Sequence, residues 1–159
     1  MIFVTLGTHH QPFDRLLSAL AEFDPDELVV QYGPGTAPRV RHGAAYMPFD
    51  EMLRNFDAAD GVITHAGVGS IICARRAGHV PLVVPRRADL GEHVDDHQAE
   101  LTQALEKRGV VVAVWDTAEL RELAADAFAR RREPGELPEP RLCPAVRAAL
   151  GGAVQSKDS

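Results

Sequence analysis

Cysteine is scarce: 159 residues contain two, Cys73 and Cys143. They form no CxxC pair, which argues against a zinc site and against a disulfide scaffold, and a reduced compartment is expected. No apolar run approaches the ~18 residues that a membrane-crossing helix needs, and no basic–apolar–small leader is legible. The chain is therefore expected to be cytoplasmic and to reach a membrane only through a partner. Positive charge is in deficit, with 17 Lys and Arg against 23 Asp and Glu and a formal net charge of -6. That balance argues against bulk nucleic-acid or anionic-membrane binding, although a local basic patch is compatible with it. The dinucleotide fingerprint GxGxxG is missing, which lowers a nicotinamide reading. No DxD-like acidic pair stands at a strand end either, so neither a cofactor nor an essential metal is expected.

What is present is ordinary for a globular domain: 45% hydrophobic and 25% charged residues, in a length that suits one domain rather than two. Short apolar runs bounded by breakers predict strands at Ile2–Leu6, Leu28–Tyr32, Ala44–Met47, Gly61–Thr64, Val80–Val84 and Val110–Val114. Helical spacing joins Phe13, Leu16, Leu17 and Leu20, then Met52, Leu53 and Phe56. It recurs in Leu101, Ala104 and Leu105 ahead of Gly109, a C-terminal stop, and in Leu120, Leu123, Ala124 and Phe128. Strands that are nearly all apolar imply burial on both faces, hence a parallel sheet. The fold class is a doubly wound parallel α/β domain, Rossmann-like, spanning 1–132. The Pro- and Glu-rich composition from Glu133 onward marks 133–159 as a linker, a short helix near Ala145–Leu150 and a disordered tail.

Three stretches carry candidate chemistry. In "THAGVGSI" an apolar strand runs into His65-Ala66-Gly67-Val68-Gly69-Ser70, and a helix-like run follows from Ile71 to Gly78. Amides at a helix N-terminus are unpaired donors at the positive end of a dipole. Gly67 and Gly69 would let an anion approach the backbone, Ser70 would bond a phosphate oxygen, and His65 would donate to another. The alternative is a tight strand–helix turn with a Ser cap and a packed His, and the loop alone does not choose. In "VPRRADLGEHVDDHQ", Val84 to Gln98, charged residues crowd the exit of a buried strand, where open α/β sheets place their ligand crevice. Asp95 and Asp96 suit the first turn of a following helix; a metal reading would use His93 and His97 with Asp96. "TLGTHHQPFD", Thr5 to Asp14, puts Gly7, Thr8 and His9 at the same sheet edge.

Together, "FVTLGT", "THAGVGSI" and "VPRRADLGEHVDDHQ" resemble the C-terminal, nucleotide-sugar-binding domain of GT-B glycosyltransferases of the family-28 type, from Met1 to about Phe128. The likeness is greatest to free-standing single-domain subunits. It implies half of a UDP-sugar-dependent hexosyltransferase, with N-acetylglucosamine, glucuronic acid or a similar sugar passed to a lipid-linked or polysaccharide acceptor. The acceptor site and the general base would lie on a membrane-anchored partner, with His65 the one catalytic candidate on this chain. The resemblance further implies that the loop His65-Ala66-Gly67-Val68-Gly69-Ser70 holds the diphosphate, with Ser70 and backbone amides as donors, and that Gly7, Thr8 and Cys73 are among the substrate-binding residues. Tyr46 and Met47, before Pro48, would read uracil through the backbone; Glu92, His93, Asp96, His97 and Gln98 would lie near the sugar. Arg86 suits a phosphate or a carboxylated sugar.

The chain departs from that pattern at Cys73, where many relatives carry a Glu that bonds the ribose, and at His97, where relatives with an Asp-Gln pair have Asp. A thiol is a poor acceptor, so an inactive nucleotide-sugar-binding or regulatory module is the alternative. A metal-dependent hydrolase built on His93, Asp96 and His97 is a third reading.

Overall fold

A computed structural model describes residues 1–130. The expected linker, short helix and tail in 133–159, with Cys143, lie outside the described residues. Six strands form one parallel sheet: β1 (Ile2–Thr5), β2 (Leu28–Gln31), β3 (His42–Ala44), β4 (Gly61–His65), β5 (Leu82–Val84) and β6 (Val112–Ala113). Their order across the sheet is β3-β2-β1-β4-β5-β6. All five neighbouring pairs run parallel, with Ile2 opposite both Leu28 and Gly61. The order reverses at β1, so the crevice between the C-terminal ends of β1 and β4 is the topological switch point.

Alternation along the strands explains the layers. Ile2, Val4, Val30, Ile63, Leu82 and Val84 face one side, where they pack with α1 (Asp14–Ala19) and α5 (Leu120–Ala129) through Leu16, Leu17, Leu120 and Ala124. Phe3, Val29 and Val62 face the other, against Phe56 of α2 (Phe49–Ala58) and Ala74 of α3 (Val68–Arg76). Phe3 and Phe56 meet edge to face at 5.0 Å. Val83 and Val111 complete that side with Leu105 of α4 (His97–Lys107). The expected helix faces are thus turned to the core, except on α2, where Phe56 is buried but Leu53 is exposed. Gly109 closes α4 with φ +67°, its N–H donating to Glu106 and the next N–H to Leu105.

Every expected strand is found; β1, β2 and β4 end one residue from expectation, β6 is shorter than expected, Val112–Ala113 within Val110–Val114, and two further starts differ. The strand expected at Ala44–Met47 lies at His42–Ala44, because it is an edge strand whose pairing with β2 begins at exposed residues. The strand expected from Val80 starts at Leu82: Pro81 has no N–H to give the ladder, although its carbonyl accepts from Val112 N at 3.0 Å.

Candidate functional site

A cleft of about 540 Å³ opens at the switch point, within the size range of small-molecule sites. Of the expected residues it brings together Gly7, Thr8, His65, Gly67, Gly69, Ser70 and Cys73. Gln31, Phe49, Met52, Phe56, Ile72 and Arg76 also line it and were not expected.

The turn after β4 is tighter than the sequence suggests. Helix α3 starts at Val68, so Gly67 is its N-cap and no side chain caps it. The alternative reading of Ser70 as the cap does not hold: Ser70 is the third helical residue. The first helical hydrogen bond runs from Ile71 N–H to Gly67 C=O at 3.1 Å, which leaves the Val68, Gly69 and Ser70 amides without helical partners. A β-carbon on Gly69 would meet nothing within 4 Å. Gly67 is different. A β-carbon there would lie 2.5 Å from His65 Cε1, and one on Gly7 would lie 2.6 Å from the same atom. The imidazole is sandwiched between two glycine backbones, so Gly67 is small for His65 rather than for an anion.

His65 itself is buried. Burial, then the nearby Arg86, pushes its pKa down to about 4, so the ring is neutral at physiological pH. Thr64 Oγ1 donates its proton to Thr5 C=O at 3.1 Å, and so accepts from His65 Nδ1 at 3.3 Å. That assignment leaves a lone pair on Nε2. The expected donation from His65 to a phosphate oxygen is therefore replaced by an acceptor, and a pKa near 4 is poor for a general base.

Gln31, at the end of β2, positions the first loop. Its Oε1 accepts from Thr5 Oγ1 at 2.7 Å and Gly7 N at 3.2 Å; its Nε2 donates to Gly7 C=O at 2.9 Å and Ala45 C=O at 2.7 Å. One buried amide ties together the ends of β1, β2 and β3. Its signal was legible as a polar residue closing the apolar strand Leu28–Gln31, and Thr5 closes β1 in the same way.

The remaining expected residues fall outside the cleft lining. Ala66 is buried in the core and Val68 is half-buried. Tyr46 is exposed, while Met47 is buried with its sulfur accepting from Asn55 Nδ2 at 3.5 Å. Burial pushes the Cys73 thiol up, against the pull of Arg76.

Arg86 is 1% exposed and turned inward, away from the expected ligand role. It donates through Nη1 to Gln11 C=O and Glu92 C=O, and through Nη2 to Leu6 C=O, at 2.9–3.1 Å. The Glu92 carboxylate holds Arg15 Nε at 2.8 Å, Arg15 Nη2 at 3.0 Å and Arg87 N at 2.9 Å. These bonds fasten the loop after β1 to the loop after β5.

Asp95 and Asp96 precede α4 rather than entering its first turn. Asp95 accepts from His97 N at 3.0 Å, which holds its carboxyl below the usual range. His93 and His97 both face Asp95, at 3.3 and 3.2 Å, so the metal reading with Asp96 loses its geometry. Among the described residues no group of three or more His, Cys, Asp or Glu is arranged to hold a metal. Gln98 accepts from Arg86 N at 3.0 Å; among the described residues its Nε2 has no protein partner.

Free helix amides beside a glycine loop, at the switch point of a doubly wound sheet, are the arrangement at which α/β domains commonly place anionic ligands. The chain belongs to the glycosyltransferase family 28 C-terminal domain family, whose sequence model matches residues 1–138. It is also similar to proteins named UDP-N-acetylglucosamine transferase subunit ALG13 from two strains of Cryptococcus neoformans var. neoformans serotype D, JEC21 and B-3501A. Each is 52% identical over 56 residues, 34% of this chain and 26% of the relative. The aligned stretch thus spans about a quarter of the length of those curated relatives.

Proposed function

We propose that this chain is the donor-binding subunit of a UDP-sugar-dependent glycosyltransferase, one half of a GT-B enzyme. The observation that carries the reading is the cleft where the free amides at the start of α3 face Gly7 and Thr8, in a member of this family. Transfer breaks the anomeric C–O bond and leaves charge on the departing diphosphate. The amides of Val68, Gly69 and Ser70, with the Ser70 hydroxyl, stabilise that charge as fixed donors at the dipole's positive end, without a required metal. The nucleoside takes the apolar end at Phe49 and Met52. Gln98 Nε2 and the loop after β5 stand toward the sugar.

The acceptor's hydroxyl needs a base that this chain does not supply, since His65 is neutral, buried and weakly basic. A membrane-anchored partner that binds a lipid-linked or polysaccharide acceptor provides it and closes the cleft. The relatives' name as a transferase subunit supports a partner. So do large exposed apolar residues on both flanks, Phe49 on α2 and Leu90 and Val94 after β5. No helix among the described residues is long and apolar enough to cross a membrane.

A transfer assay decides. The isolated chain binds UDP-sugar with negligible turnover, and addition of the partner raises transfer by orders of magnitude, because positioning alone is worth several kcal/mol. Robust transfer to a lipid-linked acceptor by the isolated chain would sink the half-enzyme reading. Cys73 in place of a carboxylate favours the second reading, an inactive nucleotide-sugar-binding module. Binding without turnover even beside the partner would establish that one.

A further inference from the structure

Helix α3 presents one face to the cleft along its length. Gly69, Ile72, Cys73 and Arg76 line it at i, i+3, i+4 and i+7. Phe49, Met52 and Phe56 of α2 form a second helical stripe in the lining. At a rise of about 1.5 Å per residue, Arg76 lies about 10 Å along the axis from Gly69 and the free amides. Helical side chains lean back toward the N-terminus, so the long stem of Arg76 is directed up the groove toward Cys73. Its charge is felt at the Cys73 thiol, where it opposes the effect of burial.

Two adjacent arginines take opposite courses. Arg75 is buried and donates through Nη1 to His79 C=O at 3.1 Å. Arg76 is exposed, and among the described residues it has neither an ion pair nor a hydrogen bond. It is also the one charged side chain among the described residues that line the cleft. His65 is neutral there, burial keeps the Cys73 thiol protonated, and the other lining residues carry no charge. A cation in the last turn of a helix complements the dipole, but that role needs neither a cleft nor a fork of donors.

The side chains around Arg76 supply little other polarity. Phe49, Phe56 and Ile72 have no hydrogen-bonding group, and the sulfurs of Met52 and Cys73 are weak partners. The hydrogen-bond character of this end is therefore set by a group that only donates. A donor-only fork pairs with the lone pairs of a carbonyl or hydroxyl oxygen. It discriminates against an analogue that puts an amino group there or lacks the oxygen, because a polar group is then left unpaired.

We propose that Arg76 is the specificity residue of the nucleoside end, donating to an acceptor oxygen of the bound nucleoside and selecting against nucleosides that lack it. The inference rests on the donor-binding reading above. Two oxygens offer the same chemistry, a carbonyl of the base and a hydroxyl oxygen of the ribose.

The test is calorimetry of the full chain and of its Arg76→Met variant with UDP, CDP, deoxy-UDP and inorganic pyrophosphate. CDP carries an amino group in place of one uracil carbonyl, and deoxy-UDP lacks one ribose hydroxyl. The unaltered chain binds UDP about tenfold tighter than one of these two analogues. Arg76→Met abolishes that preference, while its affinity for pyrophosphate and its melting temperature are unchanged. A preference over CDP that disappears assigns the bond to the base; a preference over deoxy-UDP that disappears assigns it to the ribose. Arg76→Lys, which keeps a donor and the cation in the last turn of α3, retains part of the preference. Unchanged ratios for both analogues in Arg76→Met, with UDP still bound, would overturn this inference alone. So would an equal loss for UDP, both analogues and pyrophosphate, which would place the guanidinium on the diphosphate. Failure of the unaltered chain to bind UDP would overturn the donor-binding reading and this one with it.

Discussion

The imidazole of His65 occupies the space where Gly67 would carry a side chain: a β-carbon built there lies 2.5 Å from Cε1. Gly69, two residues on, faces open space. Two glycines of one short loop are therefore glycine for different reasons, and substitution separates them. Gly67→Ala forces His65 or the turn to shift, at a cost of about 1–3 kcal/mol measured by denaturant unfolding. Gly69→Ala leaves stability equal or higher, because Ala is the better helix former by about 1 kcal/mol, yet it weakens UDP by placing a methyl over the free amides. Parallel loss of stability in both variants would contradict this assignment.

Stability depends on pH through the same imidazole. The folded pKa of His65, about 4, lies below its ordinary value of 6.5, so the unfolded chain takes up the extra proton first. The contribution is fully present above pH 6.5 and is lost as pH falls to about 4, for a total of about 3 kcal/mol. His65→Asn flattens that window in urea titrations at stepped pH. An unchanged slope in the variant would mean that other groups carry the acid sensitivity.

Ser70 is expected to act on phosphate and not on the helix. It caps nothing, because Gly67 is the N-cap of α3. Ser70→Ala therefore leaves the melting temperature in place and weakens UDP by about 1–2 kcal/mol while sparing uridine. Equal loss for both ligands would assign Ser70 to folding.

Gln31→Leu removes four hydrogen bonds at once and leaves the Gly7 amide without its best partner. A loss of about 1–3 kcal/mol in stability is expected, together with weaker UDP binding as the Gly7–Thr8 loop loosens. Gln31→Glu keeps the acceptor but loses both donations from Nε2. It is expected to fall between the two, and a neutral Gln31→Leu in both measurements would remove Gln31 from the site.

The architecture was legible because the buried strands advertise themselves: Leu28–Gln31 and Gly61–His65 are buried at every position, and that continuity signals a parallel sheet. His42–Ala44 was misplaced for the opposite reason, since an edge strand with exposed residues has no apolar signature. At the site, Gly7, Thr8 and the Gly67–Ser70 turn follow from the glycine pattern at strand ends. The inward course of Arg86 does not, because its partners are carbonyls of Leu6 and Gln11, some 80 and 75 positions away. Phe49, Met52 and Arg76 were missed because nothing local distinguishes a residue that faces a cleft from one on an ordinary helix flank. The pairing of His93 and His97 through Asp95 was likewise hidden, for i,i+4 spacing means adjacency only on a helix, and α4 begins at His97.

The central claim is that the free amides of α3 hold a nucleotide diphosphate without help from a metal. Titration calorimetry of UDP into the purified chain in excess EDTA tests it most directly. The account predicts binding, roughly millimolar to micromolar, that is unchanged by magnesium or manganese and weaker in Ser70→Ala. Heat that appears only once a divalent metal is added, or no binding under either condition, would contradict it.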